Sequence, residues 1–165
     1  ELLKKLGEFS PLLDDREGYS AGWKFNEWEK KGIPLRIEVG PKDVAKKQVV
    51  IVRRDSGKKE IVLEKDLTKR VEVILEEMQN ELYERAKKYL NSRIVSASSI
   101  KELQSQLKKG MIVKVYMNDE PGVEDALKDL TGGAVSRIIE EVSKEGICIK
   151  SGKKVNTVAY FAKAY

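Results

Sequence analysis

DDREGYSAGWKFNEWEKKGIPLRIEVGPKD, residues 14–43, crowds both Trp residues of the chain, a Phe and a Tyr among alternating acids and bases. Its punctuation is strong. Ser20 is a good N-cap, and the residues after it read as a helix through about Lys31, closed by Gly32. Pro34-Leu35-Arg36-Ile37-Glu38-Val39 then alternates apolar and charged residues, the pattern of a strand with one exposed face, and Gly40-Pro41 turns the chain. Rings interleaved with Arg and Lys also suit unpaired nucleotides, because each ring offers a stacking face and each cation a phosphate or base-edge partner.

Downstream, Asp43 to Lys46 reads as a brief helical turn and Gln48 to Arg53 (QVVIVR) as a β-branched central strand. Asp55-Ser56-Gly57-Lys58 is a turn and Glu60 to Leu63 its hairpin partner. Upstream, residues 1 to 9 read as the end of an amphipathic helix, Pro11-Leu12-Leu13 as a short buried strand, and Asp14 to Ser20 as a polar loop. The chain opens in mid-helix without an N-cap, so the expectation is a fragment of a longer polypeptide. Strands alternating with helices up to about residue 66 argue for an α/β layer.

From about Leu67 to Leu90, one stripe at helical spacing (Leu67, Val71, Ile74, Leu75, Met78, Leu82 and Ala86) marks a long core-facing helix. Ile94 to Ser96 is strand-like, and Ser99 to Glu102 has capping-box spacing before a helix that Gly110 stops. Met111 to Tyr116 reads as a strand and Pro121 to about Leu130 as a helix. Strand-like pieces follow at Ala134 to Ile139, Ile147 to Lys150 and Val155 to Phe161. The expected division is 1–66, a bridging helix at 67–93, and a small α+β module at 94–165.

Of the 165 residues 36% are charged, and 32 Lys+Arg against 27 Asp+Glu leave a net charge of +5, a surplus that permits nucleic-acid binding without requiring it. No stretch approaches the roughly 18 apolar residues of a membrane span, and no signal pattern opens the chain. One Cys excludes an internal disulfide framework, and the reading is a cytoplasmic protein with no membrane partner. The absence of His excludes imidazole catalysis and His-ligated metal. There is no P-loop, dinucleotide fingerprint or nucleophile elbow.

On the Ser20-capped helix, Phe25, Trp28 and Glu29 are neighbours at three- and four-residue spacing. Trp28 reads as core, while pattern alone leaves Phe25 open between core and rim. Arg36 and Glu38 share the polar side of their strand. By default that side is a solvated face; the alternative, set beside Phe25 and Glu29, is a base-reading pocket. A carboxylate accepts from guanine N1–H and N2–H₂, and a guanidinium donates to O6 and N7. Lys42, Asp43, Lys46, Lys47, Arg53, Arg54, Lys58 and Lys59 add a largely basic cluster around two turns. Asp14, Asp15 and Glu17 do not have the spacing of a calcium loop, and a solvated or Arg16-paired loop is the reading there. Cys148-Ile149-Lys150-Ser151 has half a zinc knuckle's spacing with Ser at the second position, and one thiol cannot make a structural zinc site.

The run GWKFNEWEKKGIPLRIEVGPKD, with VVIVRRDSGKK after it, closely resembles the anticodon-binding domain of archaeal/eukaryotic-type prolyl-tRNA synthetase. The resemblance covers the whole chain, down to the ending Tyr160-Phe161-Ala162-Lys163-Ala164-Tyr165. It implies an α/β, mixed-sheet class II anticodon-binding domain lacking its first strand, followed by the family's small α+β C-terminal extension. It further implies a part of a homodimeric class II ligase that joins proline to its tRNA. ATP and Mg would be used by a catalytic domain outside this segment, which itself binds no cofactor and holds no catalytic residue. On the matching positions, Phe25 stacks on an anticodon base. Glu29 and Arg36 read the two guanines of proline anticodons, and Lys42, Asp43 and Lys58 hold the loop and its backbone. The Tyr165 carboxylate is expected to reach toward the active site. Many relatives carry a four-cysteine zinc site in the extension. Here only Cys148 remains, Ser151 sits at its partner's position and the pair near Asn118 to Val123 is missing, so a zinc-free version held by packing is expected. The alternatives are a free-standing RNA-binding accessory domain of the same fold and a protein-interaction domain whose aromatics are all core.

Overall fold

A computed structural model describes residues 1–163, apart from the side chains of Arg137 and Ile138; Tyr165 and its expected role lie outside the described residues. The chain divides into two compact units, Glu1–Glu84 and a second from Arg85 onward.

In the first unit, helix α1 (Leu2–Lys5) and a 3₁₀ turn (Gly7–Phe9) lead through a loop to α2 (Ala21–Lys30). Strand β1 (Leu35–Glu38), α3 (Pro41–Ala45), β2 (Gln48–Arg53) and β3 (Lys59–Leu63) follow. Helix α4 (Leu67–Arg93) then begins in the first unit and runs into the second. The strands pair antiparallel in the order β1-β2-β3, and Arg36 lies opposite Val52 with Ile37 opposite Ile51.

That register sorts the two faces by the period of two. Val49 and Ile51 of β2 and Val62 of β3 pack with Leu67, Val71, Ile74 and Met78 of α4 and with Leu6, while Leu35 and Ile37 back them. Each fully buried aliphatic there, such as Ile51, Leu67 or Ile74, contributes about 1.5–3 kcal/mol of burial. Arg36, Glu38 and Val52 therefore fall on the opposite face, where α2 lies.

The second unit carries β4 (Ile94–Ser96), α5 (Ile100–Lys108), β5 (Ile112–Tyr116), α6 (Val123–Thr131), β6 (Val135–Ile147) and β7 (Lys154–Ala162). Its sheet is mixed, with order β4-β5-β7-β6; β4 and β5 run parallel and the other pairs antiparallel. Leu103 and Leu107 of α5 and Leu127 of α6 close over Val113, Val115, Ala159 and Phe161. An α/β unit followed by a small α+β unit, with mixed sheet content, is the architecture expected from the sequence.

Several local expectations are corrected. Pro11-Leu12-Leu13 is not a strand, and Leu12 and Leu13 are exposed, because among the described residues no neighbouring strand offers them a ladder. Ile147 to Lys150 is not a separate strand: Ile147 ends β6 and the chain enters a tight turn, where Cys148 N–H donates to the Lys153 carbonyl at 2.8 Å. The α4 stripe is buried only as far as Met78; Leu82 and Ala86 are exposed. Trp28 is half-buried and outside the apolar cluster, and Arg53 is buried rather than part of a surface basic patch.

Candidate nucleic-acid interface

Helix α2 positions most of the candidate residues. The Ser20 hydroxyl accepts from the Trp23 N–H at 3.3 Å and fixes the first turn. At the other end Gly32 adopts φ +87°, a conformation that lets its own N–H and that of Ile33 fold back on the Glu29 and Trp28 carbonyls. The chain then enters β1 directly, bringing strand and helix residues face to face.

Arg36 contacts both Phe25 and Glu29. The Arg36 guanidinium lies 3.8 Å over the Phe25 ring, donates from Nη1 to Glu29 Oε1 at 2.6 Å and from Nε to Glu38 Oε1 at 2.9 Å. Glu38 is two residues along the strand from Arg36, hence on the same face, and orients it; Lys59 in turn lies 3.6 Å from Glu38 Oε2. The Nη2 amino group of Arg36 has no partner among the described residues, and the Glu29 side chain is 46% exposed, so donor and acceptor capacity both remain for a ligand. The cleft lined by these residues with Trp28, Ile33, Val52 and Arg54 has a cavity volume of about 10 Å³, room for one water and too small to enclose a base.

The other expected residues spread along the sheet. Lys58 is exposed in the β2–β3 turn, at the end where β1 starts. Lys42 is exposed on α3 beyond the other end of β1, so the structure does not bring it to the Phe25–Arg36 contact. Asp43 beside it is spoken for: Oδ2 accepts from the Gly40 N–H at 3.0 Å and Oδ1 from the Gln48 side-chain amide at 2.9 Å. Those bonds, the Gln48 one foremost, hold its carboxyl below the usual range, and they make Asp43 the N-terminal clasp of α3. Arg53 is removed from the basic cluster by Asp55 at 2.8 Å and Glu81 at 2.6 Å.

A second constellation was only half foreseen. Arg16 pairs with Asp14 at 2.7 Å, as expected for that loop, and also with Glu27 at 2.7 Å on α2. Asp14 Oδ2 accepts from the Trp28 indole N–H at 2.7 Å as well, which is why Trp28 stays at the surface instead of entering the core. The Arg16 bond, with help from Trp28, holds the Asp14 carboxyl well below the usual carboxylate range, and Arg16 with Lys31 lowers that of Glu27. The signal was in the sequence as acids and bases flanking two Trp, but the partners lie eleven and fourteen residues apart and are joined only by the fold.

Residues 1–88 match the family model described as "Anticodon binding domain". The chain belongs to the anticodon-binding domain family. Residues 100–165 match a second model, "Prolyl-tRNA synthetase, C-terminal", and in this order the two correspond to the C-terminal portion of a prolyl-tRNA synthetase. Among curated relatives, "Proline--tRNA ligase" of Natranaerobius thermophilus is 41% identical over 96% of this chain and 33% of its own. The proteins of the same name from Oceanobacillus iheyensis and Chloroflexus aurantiacus are 38% and 40% identical, over 100% and 93% of this chain and 35% and 32% of theirs. The chain thus spans about a third of the length of the curated relatives it matches. In this anticodon-binding domain, the Phe25–Glu29–Arg36 contact on the α2 face of the sheet is the arrangement best suited to base edges.

The positions where the family resemblance implies a zinc site in relatives carry other chemistry here. Asn118, Cys148 and Ser151 come together: Cys148 Sγ–H donates to Asn118 Oδ1 at 2.9 Å, the Ser151 hydroxyl donates to the same oxygen at 3.1 Å, and the Ser151 N–H donates to Sγ at 3.4 Å. One thiol, one hydroxyl and one carboxamide are not a zinc set. The one buried polar side-chain atom without a partner among the described residues is Asn118 Nδ2, a donor that repels a cation. The residues do not fit zinc. The expectation of packing alone is incomplete, since a hydrogen-bonded cluster joins these loops.

Proposed function

We propose that this chain is the tRNA-recognising portion of an archaeal/eukaryotic-type proline–tRNA ligase, the class II enzyme that attaches proline to its tRNA using ATP. The observation that carries the reading is the Phe25–Glu29–Arg36 contact, exposed on a domain of the anticodon-binding family. The names of the curated relatives support proline tRNA as the partner.

In this reading the two guanines of a proline anticodon meet the carboxylate and the guanidinium. Glu29 accepts from the Watson–Crick edge of one guanine, and Arg36, held in plane by Glu38 and by the Phe25 ring, donates to O6 and N7 of the other. Lys58 and Lys42 meet phosphates at either end of β1, while Asp43 keeps α3 and its Lys42 in place. Chemistry with ATP and Mg belongs to a catalytic domain outside this segment. Homodimerisation is a property of the longer enzyme, its setting is the cytoplasm, and this segment binds no zinc. No helix among the described residues is long and apolar enough to cross a membrane.

The test is equilibrium binding of unmodified proline tRNA to the chain and to its Arg36→Ala and Glu29→Ala variants. Each loss of a base contact costs about 1–3 kcal/mol. Equal binding by parent and both variants refutes the site.

A further inference from the structure

Tyr19 and Trp23 form an exposed stack that the reading above does not use. Their ring centroids are 4.2 Å apart with planes 20° from parallel, and 49% and 45% of the two residues is exposed. Neither ring enters an apolar cluster. Both are nonetheless held still. The Arg16 guanidinium sits 5.3 Å from the Tyr19 centroid and 5.4 Å from that of Trp23, and Arg16 is itself clamped by Asp14 and Glu27. Two large apolar rings kept in water and prevented from collapsing cost burial that the fold does not recover.

We propose that the Tyr19–Trp23 stack is a second base-stacking station, taking an unpaired nucleotide of the same RNA loop that Phe25, Glu29 and Arg36 read. This rests on the anticodon-recognition reading. Trp23 and Phe25 are two residues apart on α2, so they project from opposite flanks of one helix, about 10 Å across with its side chains. A loop that lays one base against Phe25 reaches Trp23 by crossing the helix, a span of about 10 Å that a few unpaired nucleotides cover. The station has the stacking half of sequence-tolerant binding, flat π-faces that suit any base, while its neighbouring charges are paired, with Lys24 3.8 Å from Asp14. A base meeting it finds rings that are already ordered, so little rotamer entropy is lost on stacking. The role is affinity and loop posture, whereas identity stays with Glu29 and Arg36.

The experiment measures binding of the full chain to an RNA stem-loop with two adjacent guanines in its loop, and to the same RNA made abasic at each flanking loop position in turn. Trp23→Leu and Tyr19→Leu keep apolar bulk and remove the π-face. The expected result is a loss of roughly 5- to 100-fold in affinity for the intact loop. Melting temperature and the preference for guanines over adenines stay unchanged, Trp23→Phe retains most of the affinity, and the Trp23→Leu loss vanishes on one abasic RNA. If Arg36→Ala weakens binding while both Leu variants match the parent, the station is refuted, the rings face a protein surface instead, and the anticodon reading stands. A Trp23→Leu loss that persists on every abasic RNA refutes the station as a stacking site. If the parent does not bind the stem-loop, the anticodon reading fails and takes this proposal with it.

Discussion

Replacing Cys148 by Ala separates a hydrogen-bonded cluster from a metal-held one. Cys148 is 1% exposed, so removing its sulfur leaves a small void, at about 1–2 kcal/mol. The Sγ–H bond to Asn118 Oδ1 is also lost, at about 1 kcal/mol. Asn118 Oδ1 keeps the Ser151 hydroxyl, so no buried acceptor is orphaned, and the part-buried Ser151 N–H loses only a weak bond at 3.4 Å. The sum is about 2–3 kcal/mol, a fall of roughly 5–10 °C in melting temperature for a chain of this size. Had a zinc ion held these loops, removing a ligand would forfeit much of an apparent binding energy of about 10–16 kcal/mol. Circular-dichroism melts of parent and variant, each before and after dialysis against a chelator, give the answer. The expected outcome is a folded variant with a modest shift, and a parent indifferent to chelation. A parent that melts earlier after chelation, or purifies with stoichiometric zinc, refutes the reasoning.

Arg36→Lys keeps the charge but loses the planar fork and the Nε bond to Glu38, so proline-tRNA affinity falls by about 1–3 kcal/mol while the melting temperature barely moves; equal affinity refutes the bidentate role. Gly146→Ala drives a Cβ into the Tyr116 ring, whose hydroxyl donates to the Lys144 carbonyl, and costs about 1–3 kcal/mol by urea unfolding. Asp14, Glu27 and Asp43 have carboxyls held low by Arg16, Arg16 with Lys31, and Gln48 with Gly40 respectively. Their stabilisation is present above the unfolded value near pH 4 and lost as pH falls through the depressed folded values. A melting-temperature series should therefore be flat from about pH 8 to 5 and decline below about pH 4; a decline already between neutrality and pH 5 contradicts it.

The sequence was most legible where local chemistry and tertiary role agree. Ser20 and Gly32 bracket α2 because a hydroxyl cap and a positive φ are local demands, and QVVIVR became β2 to the residue. Arg36 and Glu38 could be placed on one face by the period of two. What failed depended on partners far along the chain. Pro11-Leu12-Leu13 has a strand's composition but no ladder to join, and Trp28 has a core residue's composition but an indole N–H that Asp14 captures. Ile147-Cys148-Ile149 alternates like a strand, yet Asn118, thirty residues earlier, ties its middle residue into a turn. In the site, residue identities were readable while their current engagements were not: nothing local says that Asp43 spends one oxygen on the Gly40 N–H at the start of its own helix and the other on Gln48 of β2, or that Arg53 is buried against Asp55.

The 2.6 Å pair between Glu29 and Arg36 has a consequence for selectivity. In the proposed reading each group is the other's placeholder, and RNA engagement is an exchange reaction rather than an addition. A guanine offers the carboxylate two donors and the guanidinium two acceptors, and can replace what the pair gives up. An adenine or a pyrimidine supplies only part of that set and must leave one ion without its counterpart. Resting neutrality then lowers the affinity for every loop but raises the penalty for the wrong one, and discrimination grows from the strength of a bond that correct recognition has to break.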